Sequence, residues 1–164
     1  MRNTEIRDTS LIDVLVVCND LPDDEIEQIQ AFSGIAFDAQ DTAVQIMTLA
    51  GFKWTCCVKE AGNPLVVAGF IPIGGNVWRS FMLASSAGWA EHGVEITLHC
   101  RRAVKNLVQG EQYIRLETLC LASRNKARMW YPKIGLEYES TLKGYGVNGE
   151  NAVLYTKVQG AEEN

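Results

Sequence analysis

The sequence predicts one α/β domain: a mixed β-sheet, with one parallel strand pair in an otherwise antiparallel arrangement, covered by helices on both faces. Three observations carry this. First, the apolar period along the 164 residues changes from helical to alternating and back, giving helices, a three-strand meander, a long helix, a strand, a short helix and a hairpin. A strand followed by a long helix and another strand needs a parallel crossover, and a meander needs antiparallel neighbours. Second, residues 122–138 lead from a strand into a short basic helix that stops on Gly135, with Trp130, Tyr131 and Ile134 on one face. Third, 47% hydrophobic content in this length fills one core and not two. The domain is expected to span 1–158, with 159–164 as a frayed tail.

Each element has a local reason. Ser10 can cap a helix with Asp13 at the third position, and Val14, Leu15 and Cys18 continue it to the Asn19-Asp20 break. Pro22 opens a second helix whose acidic first turn, Asp23, Asp24 and Glu25, suits the positive end of the dipole; Ile26, Ile29 and Phe32 form its buried stripe before Gly34. A third helix follows Asp41 through Val44, Ile46, Met47 and Leu49 to Gly51. Trp54 to Val58, Leu65 to Ile71 and Val77 to Ala84 are β-rich runs separated by Gly-containing turns. After Gly93, Ile96, Cys100, Val104 and Val108 trace a long amphipathic helix, and a strand runs from Tyr113 to Leu121. Leu136 to Leu142 and Ala152 to Val158 pair as a hairpin across Asn148-Gly149.

Composition narrows the function. A formal net charge of −5 with 21% charged residues argues against a nucleic-acid binder. No apolar run reaches the roughly 20 residues that span a bilayer, and the N-terminus lacks the order of a signal peptide, so a cytoplasmic protein is expected. The five cysteines, with Cys56 and Cys57 adjacent, do not describe a disulfide framework, and His92 and His99 have no third ligand in phase, so no metal is expected.

Ala127, Tyr131 and Gly135 fall in the register of a known signature, and on these residues the chain resembles the GNAT acyltransferases. Arg124 stands where that signature has asparagine, with Asn125 one position late, and Leu136 replaces an aromatic. The resemblance implies an acyl-CoA N-acyltransferase fold in which the last strand before the long helix and the strand after it splay apart. It implies acetyl-coenzyme A as co-substrate and an amine as acceptor. The pyrophosphate would meet backbone amides between Leu83 and Gly93, so Leu83, Gly88, Trp89, Ala90 and Gly93, together with Asn125, are the candidate cofactor contacts. Two registers of the loop pattern stay open. One puts Gly88 in the arginine slot with Glu91 and Gly93 in the glycine slots; the other fits Gly88 and Ala90 but leaves Ser85 in the arginine slot.

Tyr131 is the candidate acid for the leaving thiolate, or else a core aromatic, and Glu117 beside Arg115 is the candidate base, or else a surface ion pair. Arg101, Arg102 and Lys105 on the long helix and Arg124, Lys126, Arg128 and Lys133 on the short one offer contacts for coenzyme A phosphates or another anionic partner, or simply solvate helix faces. A narrower resemblance rests on Ile6-Arg7-Asp8-Thr9, Asp23-Asp24-Glu25-Ile26, Gly69-Phe70-Ile71-Pro72, Val77-Trp78, Met82-Leu83 and Arg101-Arg102 in that order. It is to a small GNAT-like family of tailed phages around internal virion proteins. It implies phage origin, virion-protein partners and a fold retained without its reaction.

Overall fold

Side-chain caps start three of the α-helices among the described residues. In the computed structural model, which describes residues 3–160, Ser10 and Asp13 form a reciprocal capping box at the head of α1 (Leu11–Cys18). The Ser10 hydroxyl accepts from the Asp13 amide at 3.2 Å, and the Asp13 carboxylate accepts from the Ser10 amide at 3.1 Å. Arg7 donates to Asp13 at 2.7 Å and the Thr55 hydroxyl at 3.3 Å. Burial alone would raise the Asp13 carboxyl, but the bonds from Arg7 and Ser10 hold it below its ordinary value. A lowered carboxylate stabilises the fold above the unfolded value of 3.8 and loses that contribution as pH falls through the folded value. Asp13→Ala should therefore lower unfolding stability by about 1–2 kcal/mol at neutral pH, with the deficit shrinking below pH 3.8; denaturant melts across pH read this directly.

Helix α2 (Asp23–Ser33) ends on Gly34 in the left-handed region, and α3 (Ala39–Thr48) follows. Helix α3 starts three residues earlier than the sequence suggests, because Asp38 and not Asp41 is the cap; its carboxylate accepts from the Asp41 amide at 2.8 Å. The sheet holds seven strands in the order β1-β2-β3-β4-β5-β7-β6. They are β1 (Thr4–Asp8), β2 (Phe52–Val58), β3 (Pro64–Gly74), β4 (Val77–Ala84), β5 (Ile114–Leu121), β6 (Glu137–Leu142) and β7 (Ala152–Gln159). Strands β4 and β5 are parallel and the other neighbours antiparallel, as predicted.

Strand β1 has no counterpart in the sequence reading. It lies at the sheet edge with Thr4 buried and Glu5 to Asp8 exposed, so it shows no alternating apolar signal. Thr4 anchors it, donating through its amide and hydroxyl to Glu95 at 3.1 and 2.8 Å. At the other end β7 runs through Gln159, whose amide donates to the Glu111 carbonyl at 2.7 Å. The expected tail thus begins inside a strand, and residues 161–164 lie outside the described residues.

Helix α4 (Ser86–Gln109) and α5 (Asn125–Trp130), which continues as a 3₁₀ turn over Tyr131–Ile134, cover one face. There Ile96, Cys100, Val104 and Val108 pack on Val66, Ala68, Leu116 and Cys120. On the opposite face α1 to α3 bury Val14, Val17, Cys18 and Ala43 against Val67 and Leu83. Gly135 closes the turn at φ 95°, a conformation a side chain would strain.

The segment expected as a glycine-rich loop is helical. Strand β4 ends at Ala84, Ser85 caps the next residue, and α4 runs from Ser86 with one non-helical residue at His92. The cause is local. Ser85 is a favoured cap, and its hydroxyl accepts from the Gly88 amide at 3.0 Å. Gly88 is small for packing: a Cβ there would sit 2.8 Å from the Ser85 hydroxyl and 3.1 Å from Leu65.

Candidate active site

Strands β4 and β5 pair in three rows, Val77 with Arg115, Trp78 with Leu116 and Arg79 with Glu117, and then part. Beyond the parting the Leu121 amide of β5 donates to the Gln28 side chain at 2.9 Å, while on the other side of β4 the Ser85 amide continues the ladder to the Leu65 carbonyl of β3 at 2.9 Å. Under α4, beside the parting, lies a cavity of about 40 Å³. Ala68, Phe70, Ser80, Met82 and Thr118 line it from the sheet, and Cys100, Ala103 and Val104 from α4. Trp130 and Tyr131 complete its wall, and its lining carries no charged residue.

Tyr131 is half-buried, stacking obliquely on Tyr155 with ring centroids 5.1 Å apart and meeting Trp130 edge-on at 5.6 Å. Burial pushes its phenol above the ordinary value, reinforced by Cys120 and Glu25 and opposed by Arg124 and a hydrogen bond with Thr118. The phenol therefore stays protonated at any ordinary pH, the state in which it can donate. Trp130 fixes the wall by donating from its indole to the Thr97 hydroxyl at 2.9 Å and meeting Trp89 edge-on at 5.3 Å. It also borders an outer groove of about 560 Å³ along residues 89–95, whose lining includes Glu91, Glu95 and Lys133. Trp130 thus stands between the inner cavity and the open groove. Desolvation pushes the Cys120 thiol up to about 11, so it is no ready nucleophile.

The other sequence candidates scatter. Glu117 sits in the last paired row, where its carboxylate accepts from Arg79 at 2.5 Å and Arg115 at 3.3 Å. Arg115 in turn grips Glu139 with two bonds of 2.8 Å, making a four-residue ion ladder across the sheet. Leu83 is buried in the core beneath α1 to α3. Gly88, Trp89 and Ala90 lie in the first turns of α4, before its kink at His92, and Gly93 lies just after that kink. At the head of α4 the amides are already bonded. Ser86 donates to the Asp20 carbonyl at 2.7 Å, Ala87 to the Asp20 carboxylate at 3.1 Å, and Gly88 to Ser85. An acidic side chain holds the position where a phosphate would be favoured. Asn125 is exposed at the first turn of α5.

Sequence reasoning missed Asp20, Gln28 and the pairing of Arg124. Arg124, in the signature's asparagine slot, turns to α2 and binds Asp24 at 3.0 Å and Glu25 at 2.6 Å. Asp20 looked like a helix stop and Glu25 like a dipole partner; nothing local marks either as reaching another element. Among the described residues no group of three His, Cys, Asp or Glu side chains is arranged to hold a metal ion, and no helix is long and apolar enough to cross a membrane.

Solved structures share this arrangement. An acetyltransferase (GNAT family) from Bacillus anthracis superposes with a TM-score of 0.74 at 13% identity, covering 96% of this chain and 95% of its own. The fold is that of the GNAT acetyltransferases. The ribosomal-protein-S18-alanine N-acetyltransferase from Escherichia coli matches with a TM-score of 0.64 at 14% identity over 98% of this chain and 97% of that one. A GNAT superfamily phosphinothricin acetyltransferase from Sinorhizobium meliloti, solved in complex with AcCoA, matches at 0.63 and 12% identity over 97% and 90%. No protein-family model matches the sequence, and no curated protein matches it. The likeness is one of fold.

Proposed function

We propose that the protein is an N-acyltransferase that moves an acetyl group from acetyl-coenzyme A to an amine. The observation that carries this is the parting of β4 and β5 after three rows, with the Tyr131 phenol at the wall of the uncharged cavity beside it. The amine nitrogen attacks the thioester carbonyl carbon, a C–N bond forms, the C–S bond breaks and its electron pair leaves on sulfur. Tyr131 donates its proton to that thiolate and is reprotonated by the proton the amine loses, so acyl-CoA and amine become amide and free thiol. Glu117 is the carboxylate that sequence alone offers as base. Held by two guanidinium groups, it would accept that proton only by releasing one of them, and Glu117→Gln tests whether the rate depends on it.

The decisive experiment is a calorimetric titration with acetyl-coenzyme A together with thiol release against a panel of amines. Expected results are binding near 1 μM, about −8 kcal/mol, and one thiol per amide formed. A second reading is favoured by the Asp20 carboxylate at the head of α4: a phage internal virion or assembly protein that keeps the fold without the reaction. If the first reading holds, Asp20→Ala frees the amide of Ala87 and tightens coenzyme A binding several-fold. Absence of binding by both the wild type and this variant favours the second.

A further inference from the structure

Successive residues of a strand face opposite sides of the sheet, so the point where β4 and β5 part has two different sides. On one, Thr118 lines the cavity under α4 and bonds Tyr131. On the other stand Arg79 and Glu117, the last paired row, in phase with Phe81 and Leu83, which pack beneath α1 to α3. Here the sheet carries a ladder of alternating charge, Arg79–Glu117–Arg115–Glu139. It is open at Arg79, whose side chain is 40% exposed against 10% for Glu117. The two cations are not equivalent. Arg115 uses all three of its side-chain nitrogens, one on Glu117 and two on Glu139. Arg79 uses only Nη2, on Glu117. Its Nε is buried, and its Nη1, which has no partner among the described residues, is left at the surface.

We infer that the acceptor is an amine carrying a carboxylate a few bonds away, as a free amino acid does, and that Arg79 holds this carboxylate through the outer edge of its guanidinium. The inference rests on the acyl-transfer reading and names its acceptor class. A carboxylate on Nη1 and Nη2 makes the bidentate pair that a guanidinium is shaped for, and in forming it draws Nη2 away from Glu117. Glu117 then faces the ammonium of the same molecule, takes one proton from it and passes that proton to solvent. The neutral amine attacks the thioester, while Tyr131 serves the thiolate from the opposite face of the sheet. The zwitterion matches the ladder charge for charge, one anion against Arg79 and one cation against Glu117, so none is left unpaired. A plain amine or a peptide N-terminus brings only the cation and leaves the Arg79–Glu117 pair closed.

Matched amines test it. Thiol release from acetyl-coenzyme A is measured for glycine against glycinamide and for β-alanine against β-alaninamide, pairs that differ in the carboxylate alone, and for a neutral tripeptide amide. The wild type should favour each acid over its amide by about tenfold or more in kcat/KM. Arg79→Gln should bring that ratio to about one, through a raised KM for the acids. Arg79→Lys should keep part of it, because the charge remains without the planar fork. Coenzyme A affinity and a thermal melt, measured alongside, show whether each variant is folded. Equal or faster transfer to the amides overturns the acceptor class, as does a tripeptide amide that outpaces both amino acids. A preference for the acids that survives in Arg79→Gln overturns the role of Arg79. Binding of acetyl-coenzyme A without transfer to any of these amines overturns the acceptor assignment and leaves cofactor binding standing. Failure to bind acetyl-coenzyme A overturns the acyl-transfer reading and this inference with it.

Discussion

Tyr131→Phe should lower the rate of acyl transfer by about 10²–10⁴-fold, with coenzyme A affinity changed little. The substitution keeps the ring that packs on Tyr155 and Trp130 and deletes only the hydroxyl at the cavity wall. Loss in the chemical step with binding preserved is the signature of a proton donor, because uniform binding contributes equally to ground and transition states. Single-turnover acetyl transfer with calorimetry in parallel separates the two quantities. Full activity in the phenylalanine variant would make Tyr131 a packing residue and return the proton to solvent.

Arg124→Ala should destabilise the fold by about 3–5 kcal/mol, because it strands a buried carboxylate. The side chains of Arg124 and Glu25 are 9% and 8% exposed, and their pair joins α2 to the start of α5. Burial raises the Glu25 carboxyl and Arg124 opposes the rise, so removing the guanidinium raises it further. A carboxyl raised in the folded state costs stability when ionised, and that cost is relieved as pH falls through the folded value towards the unfolded 4.5. The variant should therefore lag most at neutral pH and recover towards pH 4.5. Guanidinium melts at several pH values measure this. Adding Glu25→Leu to Arg124→Met should restore most of the loss, since an apolar pair of similar volume replaces both charges. A pH-independent deficit would mean that lost packing, not the stranded charge, is responsible.

The legible parts of the fold are those written in local chemistry. The Ser10 and Asp13 box, the Gly34 and Gly135 stops, the β4 run and the stripe of Ile96 to Val108 are each decided within a few residues, and each appears where its spacing puts it. The parting of β4 from β5 was also foreseeable, because a strand, a helix and a strand demand a parallel crossover and the signature helix marks its end. Strand β1 escaped because an exposed edge strand has one buried residue and no period. The passage from Leu83 to Gly93 was only partly legible: its glycines suit a phosphate loop or a plain strand-to-helix turn, and what the local spacing did not show is that Ser85 caps a helix there, Gly88 packs closely and the helix kinks at His92.

By itself the sequence determined the α/β fold class, the Ser10 cap, the parallel crossover and a tyrosine at the end of the signature helix, because helix propensity, capping and alternation act over only a few residues. Only the tertiary structure decided which charges meet. Asp20 closes the head of α4, Arg124 turns to Glu25, and Glu117 is locked between Arg79 and Arg115. These partners lie from 2 to 99 positions apart in the chain. The energy of each contact depends on separation and burial in space, which no local pattern of residues records.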